Sequence, residues 1–183
     1  MQEVVILSAA RTPIGKFNGG LASVSAVDLG ITSVKAALSR AKLQPSDIQE
    51  VFMGQVISAG VGQAPARQVA LGSGCPPETE ATTINKVCAS GMKAVIFATQ
   101  SLQLGIREAM VAGGMENMSQ VPLYLPRGHV YGNLVVKDGI LFDGLTDVYD
   151  NIHMGLCAEN TAAREGFTRE DQDAFAIESY LTV

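Results

Sequence analysis

Apolar positions along this chain recur with two different periods. Short runs rich in apolar residues and bounded by turn residues predict strands at residues 4–9, 48–58 and 108–114, and a β-branched-rich run predicts another at residues 79–87. Spacings of three and four predict helices. Val27, Ile31, Val34, Leu38 and Ala41 mark one face of an amphipathic helix. Ser25 and Asp28 open it as a capping box, and Pro45 bars its continuation. A second, shorter helix is predicted around residues 66–71, framed by Gly and Pro. A third runs over residues 90–104, with Met92, Val95, Ile96, Phe97, Leu102 and Leu104 spread nearly all round. That distribution predicts a helix buried on every side, and Gly105 is a fitting residue to end it. The segment "RTPIGKFNGG" between the first strand and the first helix is read as loop.

Strand, helix, strand, helix, strand, all short and apolar, is an α/β pattern with the sheet covered on both faces. A central helix without a polar side asks for more than two layers. Beyond about Met118 the rhythm is lost. Residues 119–155 are rich in Pro and Gly and predict loops and short pieces. One more helix is predicted late: Thr168 and Asp171 form a second capping box, followed by Phe175, Ile177 and Tyr180. Its apolar residues have nothing to pack on before residue 183, which predicts an interrupted domain.

Composition narrows the function. Of 183 residues, 47% are apolar and 17% charged, and Trp is absent, so the core is aliphatic. A formal charge of −5 argues against nonspecific binding to nucleic acid or an anionic membrane face. It leaves open a phosphate-bearing small molecule held by a local basic patch. Residues 1–10 are apolar but too short to span a bilayer, and no secretory or transit segment is visible. Cys75, Cys88 and Cys157 make no metal-ligand spacing and leave an odd thiol, which together predict a reducing compartment.

Cys88 is the candidate for chemistry. It stands between a predicted strand and the apolar helix, followed by Ala89, Ser90 and Gly91. Most cysteines at such a corner are small buried hydrophobes. Here the helix N-terminus offers partial positive charge and unpaired N–H groups, which favour a thiolate and could hold an oxyanion. The three small residues would let a substrate approach. The layout follows the mechanics of a nucleophile elbow. A helix end contributes only about 0.3–1 kcal/mol, so an efficient nucleophile also needs a base. His129, in "PRGHVYG", reads as an exposed loop residue. His153, in "DNIHMGLCAEN", has apolar flanks suited to a pocket. Neither spacing identifies a partner for Cys88.

These residues carry a family resemblance. "INKVCASGMKAVIFATQSL" resembles the acyl-enzyme cysteine signature of the thiolases. "VILSAARTPIGKFNGGL", "GQAPARQVAL", "VAGGMENMS" and "DGLTDVYDNIHMGLCAENTA" resemble the same family, in the same order, over about residues 3–180. "NKVCASGMKA" and "NIHMG" resemble the short-chain acetoacetyl-CoA type found among mitochondrial acetyl-CoA acetyltransferases. The resemblance implies a layered α/β thiolase fold: a mixed sheet with helices on both faces and one buried central helix. Only its N-terminal half would be present. Residues 1–118 would be the core domain, lacking its last strand. Residues 119–183 would begin an inserted loop domain.

The resemblance also implies roles. Cys88 would carry the acetyl group, its backbone N–H forming part of an oxyanion hole. Leu145, His153 and Met154 would line the pantetheine and acyl pocket. Gly113, Gly114 and Met115 match a turn read as packing, and Cys157 is read as structural. Coenzyme A thioesters would be substrates, with no permanently bound cofactor and no metal. Full-length relatives are tetramers, and residues 82–87 would lie near a dimer contact. The family's catalytic His and second Cys belong to a later repeat, and neither motif occurs here. Two readings follow: part of a working acetyl-CoA acetyltransferase, or a short, catalytically incompetent product with acyl-CoA- or partner-binding ability. The compartment implied is mitochondrial, with the cytoplasm as the alternative.

Overall fold

The computed structural model of the chain describes residues 2–128 and 131–182. His129 lies outside the described residues. The chain divides into two compact units, Met1–Ile140 and Leu141–Val183.

The first unit is built on three parallel strands in the order β2-β1-β3: β1 (Glu50–Gly54), β2 (Glu80–Ile84) and β3 (Met110–Gly114). The register pairs Gly54 with Ile84 on one side and with Gly114 on the other. The sheet was expected to be mixed, but every pairing in it is parallel. Within this unit the described residues also form an antiparallel ribbon of β4 (Leu123–Tyr124) with β5 (Lys137–Asp138). All five residues of the central strand β1 are buried, as a strand covered on both faces requires. Its alternation divides the core. Val51 and Met53 join Val27, Val34, Leu38, Ala66 and Val69 on the face covered by α1 (Ala26–Ala41) and α2 (Pro65–Gly72). Phe52 joins Ile84, Ala94 and Ala98 on the face covered by α3 (Ser90–Gln103). Three layers result, helix on sheet on helix.

Local signals set the boundaries. The Asp28 amide donates to Ser25 Oγ at 3.0 Å, capping α1, and Lys42 closes the helix at φ 59°. Gly105, at φ 70°, follows α3. At the start of the sheet, Arg107 donates to Glu50 at 3.1 Å and to Glu80 at 2.7 Å. It ties the beginnings of β1 and β2 together.

Two expectations of burial fail. Residues 4–9 belong to no strand, and Ile6 is 83% exposed. Two side-chain hydrogen bonds tie them to α1. Ser8 Oγ donates to Ala37 O, and Arg40 donates to Ala9 O. An apolar run makes a strand only where another backbone lies alongside to complete its ladder. The second failure is α3. It buries only Ser90, Ala94 and Ala98, a stripe at steps of four, and leaves Met92 71% exposed. One face meets the sheet, while the remaining apolar residues face outward. Lys93 covers part of that surface, with Nζ 4.1 Å from the Phe97 ring centre.

A π-type turn at Ile140–Leu145 opens at the boundary of the second unit, which continues with α4 (Met154–Glu165) and α5 (Arg169–Leu181). α5 begins where the capping box predicts. Thr168 Oγ1 accepts from the Asp171 amide, and Asp171 Oδ2 accepts from the Thr168 amide. α4 has no counterpart among the predicted helices, and its first two residues fall in the stretch expected to be loop. Its N-cap is His153, whose Nδ1 accepts from the Gly155 amide at 2.9 Å, a role that composition rules reserve for Ser, Thr, Asp and Asn.

Candidate active site

The site begins where β2 ends. After Ile84 the chain turns through Asn85, Lys86, Val87 and Cys88 and enters α3 at Ser90. Val87 adopts φ 47°, a left-handed conformation that a β-branched residue enters only under strain. Three bonds hold it there. The Val87 amide donates to Asn85 Oδ1 at 2.9 Å. The Ser90 hydroxyl donates to Val87 O. The Ser90 amide donates to the same oxygen at 3.0 Å. The Ser90 hydroxyl also accepts from the Lys86 amide at 2.8 Å, so one side chain closes the turn from both ends.

This turn presents Cys88 to solvent as a free, exposed thiol. Among the described residues the Cys88 amide donates no hydrogen bond. No side chain caps α3. The thiol therefore stands at an open helix N-terminus with an unspent N–H of its own, the chemical requirement for attack on a carbonyl and for holding the resulting oxyanion.

The small residues after Cys88 divide their work in a way sequence reasoning misassigned. Ser90 is only 3% exposed and serves the turn, while the close packing beneath it depends on Gly54 and Gly114. A Cβ on Gly54 would stand 2.4 Å from Ser90 C and 2.5 Å from Gly91 N, and one on Gly114 would stand 3.4 Å from Gly91 Cα. The first turn of α3 thus rests directly on the backbone of β1 and β3. Clearance at the thiol itself comes from Ala89, which is exposed.

Sequence reasoning also missed the support behind the turn. The loop after β1 lies against it: Asn85 Nδ2 donates to Val56 O at 3.0 Å. Glu116, just past β3, accepts from the amides of Val56 at 2.8 Å and Ile57 at 3.3 Å. Burial pushes the Glu116 carboxyl above its ordinary value, and the two amide bonds partly oppose that shift. The only signal in the sequence is a single charged residue in the apolar "VAGGMENM".

The remaining expected residues belong to the second unit. Leu145 ends the π-type turn. An isolated antiparallel bridge pairs Thr146 with His153, and the Asp147 amide donates to Ile152 O at 2.8 Å. This hairpin brings Leu145 toward His153 and Met154, which occupy the N-cap and first position of α4. All three are exposed. Cys157 lies within α4. Among the described residues no group of three or more His, Cys, Asp or Glu is arranged to hold a metal ion. No helix among them is long and apolar enough to cross a membrane.

Comparison with known proteins bears on this turn and on the fold around it. Residues 4–182 match the family model described as thiolase, N-terminal domain. A mitochondrial acetyl-CoA acetyltransferase of Gibberella zeae is 56% identical over 183 residues, covering 98% of this chain and 43% of that protein. A mitochondrial acetyl-CoA acetyltransferase of Danio rerio is 55% identical over 181 residues, covering 98% of this chain and 43% of that protein. The crystal structure of the Acat5 thiolase from Ascaris suum in complex with coenzyme A superposes with a TM-score of 0.93 at 49% identity, covering 96% of this chain and 46% of that one. The chain thus spans less than half the length of the curated relatives it matches. It belongs to the thiolase family and corresponds to the family's N-terminal domain.

Proposed function

We propose that this chain is the nucleophile-bearing part of an acetyl-CoA C-acetyltransferase, and that Cys88 is its acyl acceptor. The observation that carries this reading is the exposed Cys88 thiol, held by a strained Val87 at the uncapped start of α3. In the first half-reaction the Cys88 sulfur bonds to the carbonyl carbon of acetyl-CoA. The carbonyl oxygen gains charge beside the Cys88 amide. The C–S bond to coenzyme A then breaks, and coenzyme A leaves with the proton that Cys88 gave up. In the second, the α-carbon of another acetyl-CoA, deprotonated by a base, bonds to the acetyl carbon. Acetoacetyl-CoA forms, and the Cys88 sulfur leaves. Thiolysis is the reverse.

Leu145, His153 and Met154 are proposed as lining for the acyl and pantetheine part of the substrate. The relatives' names and the coenzyme A complex of the Ascaris thiolase support coenzyme A thioesters as the substrate class. By the same resemblance we assign residues 119–183 to the start of an inserted loop domain. The full-length protein would be a homotetramer working in the mitochondrion, with the cytoplasm as the alternative.

The family places its catalytic His and second Cys in its later repeat. A second reading is favoured by the chain's 43% span of its relatives: alone, the 183 residues carry acylation without condensation, or only binding. One experiment separates these cases. The chain is incubated with radiolabelled acetyl-CoA, and acetyl transfer is mapped by peptide mass spectrometry. Label on the Cys88 peptide, absent from Cys88→Ala, supports the acyl acceptor. No label on Cys88 refutes it. Acetoacetyl-CoA formation above the Cys88→Ala control would overturn the expectation that this chain does not condense.

A further inference from the structure

One peptide group joins Glu116 to the Cys88 turn. The unit between Val56 and Ile57 is gripped at both ends. Its N–H, that of Ile57, donates to Glu116 Oε1 at 3.3 Å. Its C=O, that of Val56, accepts from Asn85 Nδ2 at 3.0 Å. The preceding amide, that of Val56, donates to Glu116 Oε2 at 2.8 Å. The other end of the Asn85 side chain, Oδ1, takes the Val87 amide at 2.9 Å. A continuous path therefore runs from Glu116 through one peptide plane and Asn85 to the residue that turns Cys88 outward.

We propose that Glu116 is a positioning residue for Cys88, acting through the 56–57 peptide and Asn85. Val87 would not stay at positive φ unaided, because a β-branched side chain is strained there. Ser90 holds the Val87 carbonyl, while Asn85 holds its amide; the Asn85 side chain is exposed and needs a fixed anchor. Val56 O is that anchor only while the peptide faces Asn85. Backbone bonds flank the loop, from Gln55 N to Ile84 O and from Met115 N to Gly54 O, both at 3.0 Å, but neither fixes the rotation of the 56–57 plane. The bidentate carboxylate does. A carboxylate accepting from one end of a peptide also strengthens the acceptor at the other. The proposal rests on the acyl-acceptor reading for its purpose, while the path itself is independent of substrate.

The three cysteines supply the test and its controls within one molecule. Cys88 is exposed, Cys157 is intermediate and Cys75 is buried. Alkylation by iodoacetamide is followed at each by peptide mass spectrometry in the 183-residue chain, for wild type, Glu116→Gln, Asn85→Ala and the double variant. Gln keeps one acceptor oxygen but turns an N–H toward the second amide. The expected result is Cys88 alkylation slower by about fivefold in each single variant, as the thiol leaves the helix end. Cys157 is unchanged and Cys75 stays protected. The double variant is no slower than Asn85→Ala alone, because both act on one path.

A Cys88 rate within twofold of wild type in Glu116→Gln overturns the proposal, as do effects that multiply in the double variant. Rapid labelling of Cys75 in Glu116→Gln also overturns it, by assigning the carboxylate to folding. Acetyl transfer from acetyl-CoA is scored separately. Its failure at Cys88 in wild type removes the acyl-acceptor reading and leaves a Glu116-dependent alkylation rate standing.

Discussion

The Val87 amide donates to Asn85 Oδ1 at 2.9 Å, and Val87 stands at φ 47°. The two facts belong together, because the bond offsets a conformation that costs a β-branched residue about 1–3 kcal/mol. The Val87 side chain is 48% exposed, so little packing is lost when it changes. Val87→Asn is therefore expected to stabilise the chain by about 1 kcal/mol, since Asn enters the left-handed region readily. Cys88 alkylation should stay within twofold. Urea unfolding of the two chains checks this, and a less stable Val87→Asn would show that Val87 is not strained.

Gly54 and Gly91 look equivalent in sequence and are not equivalent in space. A Cβ on Gly54 meets the backbone of Ser90 and Gly91 at 2.4 and 2.5 Å, whereas one on Gly91 meets nothing nearer than Gly113 O at 3.8 Å. Backbone cannot swing aside as a side chain can. Gly54→Ala should cost more than about 2 kcal/mol and displace the Cys88 turn. Gly91→Ala should be neutral, or stabilising by up to about 1 kcal/mol through helix propensity. Equal stability of the two variants would contradict this account of how α3 sits on the sheet.

The Glu116 carboxyl is held above its ordinary value by burial. Its sign in the stability follows from linkage. A raised carboxyl favours the folded state most when both states are protonated. That contribution is lost as pH rises from the ordinary glutamate value through the raised one. Lys16 lines the same cleft as Glu116, but the carboxylate's hydrogen-bond partners are the amides of Val56 and Ile57. As pH rises above the ordinary glutamate value, wild type should lose stability relative to Glu116→Gln. Parallel pH profiles of the two chains in urea would refute it.

How much of this was legible in the sequence depends on how far each cause lies along the chain. The Ser25 and Thr168 caps act over three residues, and α1 and α5 begin where those caps predict. β1 is legible because consecutive apolar residues, Val51, Phe52 and Met53, suit a strand covered on both faces. The thiol at the turn is legible because Cys88 and its small neighbours are contiguous. α4 is not, because its cap is a histidine and Gly155 occupies its first turn. Glu116 is not, because its partners lie about sixty residues away and are backbone amides, which carry no sequence signature. Residues 4–9 and α3 show the opposite error. An apolar run records a preference for burial without naming the surface that supplies it.

That unmet preference has a measurable consequence. Met92 and Ile96 lie one turn apart on α3 and are 71% and 41% exposed, and Val5, Ile6 and Leu7 are exposed in a segment that belongs to no strand. Backbone outside a ladder offers N–H and C=O groups to other chains, and exposed apolar side chains add a driving force for association. A formal charge of −5 opposes this by repulsion that salt screens. The 183-residue chain should therefore sediment as species heavier than a monomer, and more so with added salt. Substituting both Met92→Lys and Ile96→Lys removes apolar area. Although the two added lysines bring the formal charge from −5 to −3, the loss of apolar area should shift the distribution toward monomer, most clearly in high salt where repulsion is screened. Cys75 should remain protected, because neither side chain belongs to the core. A monodisperse wild-type monomer at every salt concentration would mean that these surfaces are covered by contacts within the chain.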